Sequence, residues 1–205
     1  QQILSEAMTE LFNTIKLDTR KLKFFGNWRS EKYIDSRGYL TPYESIEWVM
    51  KKNYDNRRSQ CDANSITFDS YYDPYQYRFP HWEVIFTKRD LFVEGCNFVF
   101  GCAQPDLSTI ISLHQFDRFS YNPGLRKEII KTLIFHEFGH VLGLPSERRG
   151  KYNLEESLGT HCKSRDCSMH QALSTTDFEN NTLDRLSNRG IGKPYCSDCM
   201  EDLRV

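Results

Sequence analysis

The sequence predicts an α+β fold: one domain of 205 residues with a small, twisted, mostly parallel sheet, helices behind it, and an irregular C-terminal part. Three observations predict it. Apolar residues recur at helical spacing in three stretches. Four short runs rich in β-branched and aromatic residues are bounded by Gly, Pro, Asn or Asp. From residue 145 onward the chain turns polar, charged and cysteine-containing.

In order along the chain, residues 3–16 place Ile3, Leu4, Met8, Leu11, Phe12 and Ile15 on one helical face. Thr41-Pro42-Tyr43-Glu44 supplies an N-cap, a proline at the first helical position and a glutamate three after the cap, so a backing helix is expected through Ile46, Trp48, Val49 and Met50. The expected strands are Ser65–Phe68, Trp82–Thr87, Asn97–Gly101 and Thr109–Leu113. Between them, the aromatic and proline-broken tract 71–80 reads as a loop over the sheet. Asn122-Pro123-Gly124 starts a helix from about residue 123 to 142, burying one stripe through Ile129, Ile130, Leu133, Ile134, Phe138, Val141 and Leu142, with Gly143 as its C-cap. A short helix is expected around Thr176–Leu186. An N-terminal subdomain 1–143 and a C-terminal subdomain 144–205 follow from this reading.

Twenty-seven basic residues against 28 acidic ones give a net charge of -1, which argues against nucleic acid or an anionic membrane as partner. No run approaches the roughly 20 apolar residues a spanning helix needs, and the N-terminus lacks a basic-then-apolar layout. A soluble monomer is expected.

Inside the 123–142 helix, His136, Glu137 and His140 form HExxH. Four residues at about 100° each bring the two imidazoles within about 40° of one another, one turn apart, so both can reach one ion. A carboxylate beside them can take a proton from the attacking water and pass it to a leaving amine. The pattern arises by chance in fewer than about one in a hundred chains of this length. Gly139 costs about 1 kcal/mol relative to alanine in a helix interior, which signals close packing near the site.

Cys162, Cys167, Cys196 and Cys199 form CxxxxC…CxxC among seven cysteines. Such spacings read as zinc ligands in a reducing compartment and as disulfides in an oxidising one; zinc, and hence the cytoplasm, is the expectation. Cys61, Cys96 and Cys102 stand apart, and His81 and His114 read as ordinary surface or hydrogen-bonded residues.

At these residues the chain resembles the archaemetzincins, a branch of the metzincin zinc peptidases whose motif runs HExxHxxGxxHCxxxxCxM and later CxxC. His136-Glu137, His140 and Gly143 match its first half; His161-Cys162, Cys167, Met169, Cys196 and Cys199 match its second. Asp90-Leu91, NFVFGCA (97–103) and ISLHQFD (111–117) resemble the family's sheet region, so the resemblance covers roughly residues 82–200. It implies a metzincin-like catalytic domain and two zinc ions. The catalytic ion is implied on His136, His140 and His161 with Glu137 as general base and Met169 in the turn beneath the metal; the structural ion is implied on the four cysteines. It also implies a peptide or protein substrate, extended beside an edge strand for which Asn97–Cys102 is the candidate.

The chain departs from the motif at PSERRGKYNLEESLG (145–159), inserted between its halves. Ser146 is a poor zinc ligand, Glu147 offers a His2Glu site, and His170 lies beyond the cysteine pair; these are the rivals of His161. Loop closure cost grows only with the logarithm of length, so a polar, solvent-exposed excursion can leave His161 in place. A non-catalytic zinc module or inactive peptidase homologue is the alternative reading, and Glu137 separates the two, because a purely structural site has no use for that carboxylate.

Overall fold

Ser108–Ser112, buried along its whole length, is the central strand of one of two small mixed sheets. The computed structural model describes residues 2–27, 29, 45–119, 122–149, 154–155 and 159–203. The chain divides into two compact units, Lys23–His114 and Gln1–Leu22 with Gln115–Val205.

In the first unit, α2 (Ile46–Lys52) is capped by Ser45, whose hydroxyl accepts the Trp48 N–H at 3.3 Å. The cap expected at Thr41-Pro42 lies outside the described residues. Strand β1 (Tyr54–Asp55) runs antiparallel to β2 (Gln60–Asp62). Next come α3 (Ala63–Asp69), α4 (Pro74–Arg78), β3 (Glu83–Thr87), β4 (Leu91–Phe92), β5 (Gly101–Gln104) and β6 (Ser108–Ser112). The sheets have the orders β1-β2-β4 and β3-β6-β5. β2 pairs with β4 and β3 with β6 in parallel, whereas β5 is antiparallel to β6. The expected mostly parallel sheet is therefore two mixed ones. The connections β1–β2 and β5–β6 are too short for a crossover, which parallel pairing requires.

Three further expectations change. The tract 71–80, expected as a loop, carries α4, opened by Asp73, which accepts the Tyr75 N–H at 3.0 Å. Ser65–Phe68 is helical, because Asp62 caps α3 by accepting the Ser65 N–H at 3.3 Å, and Ala63, Ile66 and Thr67 then share a buried face. Of Asn97–Gly101, Val99 forms only an isolated bridge to Leu91 before β5 starts at Gly101. Val49, Met50, Cys61, Ala63, Ile66, Ile85, Leu91 and Ile110 make the core of this unit. His81 and His114 each meet a backbone carbonyl, of Phe79 and Lys88.

The second unit is built on α5 (Pro123–Val141), opened by Asn122, which accepts the Leu125 N–H at 3.1 Å. Helix α1 (Gln2–Thr14) buries Ala7, Met8, Leu11 and Phe12, with Phe12 against Phe138 at 6.1 Å between ring centroids. Helix α6 (Thr175–Asn188) adds Thr182, whose hydroxyl bonds that of Thr132 at 2.9 Å. Covered from more than one side, α5 is buried from Ile129 through Gly139 instead of along one stripe. Strands β7 (Leu154–Glu155) and β8 (His161–Cys162) form an antiparallel pair, and α7 (Ser197–Asp202) follows. Among the described residues no helix is long and apolar enough to cross a membrane.

Candidate active site

Helix α5 delivers two imidazoles one turn apart, His136 and His140, whose rings meet edge to face with Nε2 atoms 3.3 Å apart. His161, opening β8, sets its ring centroid 5.2 Å from His136 and 5.1 Å from His140. One ligand nitrogen from each lies within 4.8 Å of the others. Tetrahedral zinc at roughly 2.0–2.1 Å from each nitrogen places ligand nitrogens about 3.4 Å apart, and the His136–His140 pair already has that spacing.

The backbone decides which ring nitrogen is available. His136 Nδ1 lies 2.7 Å from Ser168 O, His140 Nδ1 3.0 Å from Leu144 O, and His161 Nδ1 3.1 Å from Gly159 O. A carbonyl oxygen can only accept, so each Nδ1 carries the hydrogen and each Nε2 keeps its lone pair. Burial, then the neighbouring His140 and His161, pushes the His136 pKa well below the usual imidazole range. His140 is pushed down to about 4 by burial and by His161. Both imidazoles are thus held in the neutral form that binds metal.

Glu137 sits on the same helix with 6% of its surface exposed. Burial pushes its carboxyl up to about 8. Beneath α5, Met169 is fully buried, and a Cβ at Gly139 would overlap its Sδ and stand 3.3 Å from the Tyr195 hydroxyl. Gly139 therefore serves the close packing that its helix cost implies. Tyr195 donates to Phe135 O at 2.8 Å, tying the segment before Cys196 to the same helix.

The cysteines meet at a second centre. Cys162 Sγ and Cys196 Sγ are 3.7 Å apart, Cys167 Sγ and Cys199 Sγ 3.6 Å. A disulfide needs about 2.05 Å; four thiolates at about 2.3 Å from one zinc stand about 3.8 Å apart. The spacing fits the tetrahedral site. All seven cysteines are free thiols, and Cys61 and Cys102 bond Met50 O and Asn64 Oδ1 away from the cluster.

Among the described residues the metal-competent groups of His, Cys, Asp and Glu contain neither Glu147 nor His170. Ser146 gives its N–H to Asp202 Oδ2 at 2.9 Å, and His170 Nδ1 meets Cys162 O at 2.9 Å. The insertion is more than a solvent-exposed excursion. Its start is held on Asp202 of α7, and its later part forms β7, which pairs Leu154 with Cys162 and Glu155 with His161. Sequence reasoning did not find Asp202 and its ion-pair partner Arg149, Asn181, whose Nδ2 donates to Cys167 O at 2.9 Å, or Tyr195 as supports of the two centres, since each acts across a long chain separation that no local spacing records.

No family model matches the chain. Its fold is shared with solved zinc peptidases of mixed α+β build. The zinc-dependent peptidase from Methanocorpusculum labreanum aligns with a TM-score of 0.58 at 19% identity, over 97% of this chain and 91% of that one. The archaemetzincin from Methanopyrus kandleri aligns with a TM-score of 0.53 at 23% identity, over 75% of this chain and 69% of that one. In sequence the chain is similar to the archaemetzincin of Thermococcus kodakarensis, 33% identical over 123 residues, which are 57% of this chain and 52% of that protein. The chain is archaemetzincin-like, and it spans about half the length of the curated relatives it matches.

Proposed function

We propose that the chain is a zinc-dependent peptidase that hydrolyses peptide bonds, with His136, His140 and His161 holding the catalytic zinc and Glu137 as general base. The observation that carries the reading is the set of three imidazoles, two of them on the helix that also carries the buried Glu137, whose Nδ1 atoms are all spent on backbone carbonyls while one ligand nitrogen from each comes within 4.8 Å of the others. Bound there, zinc would supply polarisation of the scissile carbonyl and acidification of the attacking water. Glu137 takes the proton from that water and delivers it to the leaving amine. Burial raises the pKa of this carboxyl to about 8 in the metal-free chain, which makes its ionised form a stronger proton acceptor than an exposed glutamate, and a cation bound nearby would favour that ionised form. The carbonyls of Ser168, Leu144 and Gly159 orient the imidazoles. Met169 packs beneath them against Gly139.

A second, structural zinc on Cys162, Cys167, Cys196 and Cys199 completes the reading, supported by sulfur spacings near the tetrahedral value. Free thiols in this arrangement fit a reducing compartment such as the cytoplasm.

The test is Glu137→Gln, assayed on a peptide library with metal content measured alongside. Peptide cleavage by the native protein, its loss by at least about a hundredfold in the variant and retention of both metals support the proposal. Metal bound with no cleavage by the native protein leaves the non-catalytic zinc module; comparable cleavage by the variant removes Glu137 from its role.

A further inference from the structure

The inserted segment places a buried cation on the cysteine centre. Arg149 keeps only 9% of its side-chain surface exposed. Its Nη1 approaches Cys162 Sγ at 3.9 Å. On the opposite prong, Nη2 makes an ion-pair contact of 2.5 Å with Asp202 Oδ2. The same carboxylate oxygen accepts the Ser146 N–H at 2.9 Å. Asp202 closes the short helix that carries Cys199. One carboxylate therefore fixes both the entry of the insertion and the direction in which the arginine points.

Four thiolates around one zinc carry a net charge of about −2, which is costly to bury unless donors face the sulfurs. Arg189, another guanidinium of this unit, is occupied with Asp166, donating to its backbone oxygen and to Oδ1, both at 2.9 Å. Arg149 alone of the two donates to a sulfur. A rigid fork suits the task, because one prong can be held by the carboxylate while the other serves the thiolate.

We propose that Arg149 is a positioning residue of the four-cysteine centre, a cationic hydrogen-bond donor that stabilises its thiolates and is aimed by Asp202. The insertion would thereby support a metal held by the four cysteines. The proposal rests on the reading of the cysteines as a metal site.

The experiment uses the full chain with cobalt(II) replacing zinc, which reports on the thiolates through their charge-transfer absorption. Arg149→Gln, Arg149→Lys and Asp202→Asn are compared with the native protein for that absorption and for the rate of cobalt release to a chelator. Release is expected to quicken by roughly 10–100-fold in Arg149→Gln and by a smaller factor in the other two. The charge-transfer band should move to longer wavelength in Arg149→Gln, because a thiolate without its donor gives up electron density more easily; a side chain that merely filled space would not shift it. Should Arg149→Gln fail to fold, Arg149→Lys and Asp202→Asn decide: several-fold faster release in either supports the proposal. Release within about twofold of native in every folded variant, with an unmoved band, overturns it. Absence of the charge-transfer band in the native protein itself overturns both the metal site and the role of Arg149.

Discussion

Glu137 and the two imidazoles of α5 are perturbed in opposite directions by the same burial, so their effects on stability run in opposite directions with pH. With the catalytic centre free of metal, His136 and His140 have folded-state pKa values lowered from 6.5, so their contribution is full above 6.5 and is lost as pH falls, for His140 toward about 4. Glu137 is raised from 4.5 to about 8, so its contribution is full below 4.5 and is lost as pH rises through 8. Between 4.5 and 6.5 two histidines oppose one glutamate, so these three groups together make stability climb with pH; above 6.5 the glutamate alone of the three acts, and its contribution falls. Thermal melting of this metal-free form should show the decline from 6.5 to 8 in the native chain and lose it in Glu137→Gln; parallel profiles would show that Glu137 is not the titrating group. Gly139 gives a second expectation at this scale. Gly139→Ala drives a methyl into Met169 and should cost about 1–3 kcal/mol in melting experiments. Met169→Leu, nearly volume-conserving, should cost under about 1.5 kcal/mol. An equal loss in the two variants would contradict the packing argument.

Elements were legible where one local signal dominated. The α5 helix announced itself through Asn122-Pro123 and the long apolar run, and β3 and β6 through their β-branched composition. Ser65–Phe68 misled because its β-branched residues argued for a strand while the cap at Asp62, three residues earlier, decided for a helix. Asp62→Ala should therefore cost about 1 kcal/mol, read by denaturant unfolding, and no change would place the origin of α3 elsewhere. The histidines and cysteines were visible from spacing and from the family motif, but the path between its halves was not. Polar composition pointed to an exposed loop, whereas strand pairing of Leu154–Glu155 with His161–Cys162 is a long-range event that composition does not encode. At β8 the expected outcome is sharp: His161→Ala loses the catalytic metal and peptide cleavage yet keeps the cysteine-bound metal, whereas Glu147→Ala loses neither. Metal analysis of both variants checks it, and the reverse pattern would assign the third ligand to Glu147.

For the whole molecule, the two compact units predict two responses to a chelator. Unit Lys23–His114 owes its core to apolar side chains and two sheets, without a cysteine or histidine from either metal-competent group. The other unit contains both groups, and structural zinc supplies on the order of 10 kcal/mol of folding free energy in small modules. Stripping metal should raise amide hydrogen exchange across residues 160–203 while the amides of β3 and β6 stay protected; uniform exchange would show one cooperative structure. That α1 would bury itself on α5 across more than a hundred residues of chain was not readable from either helix alone. One short strand carries a consequence for the order in which metals load. His161 and Cys162 are joined by a single peptide unit and belong to different metal groups. Ordering either residue lowers the conformational entropy still to be lost by the other, so the two binding equilibria are thermodynamically linked, and the linkage is reciprocal. A metal titration of the empty protein should then be cooperative: each ion raises the affinity for the other by the same factor, and a chelator that takes one loosens its neighbour.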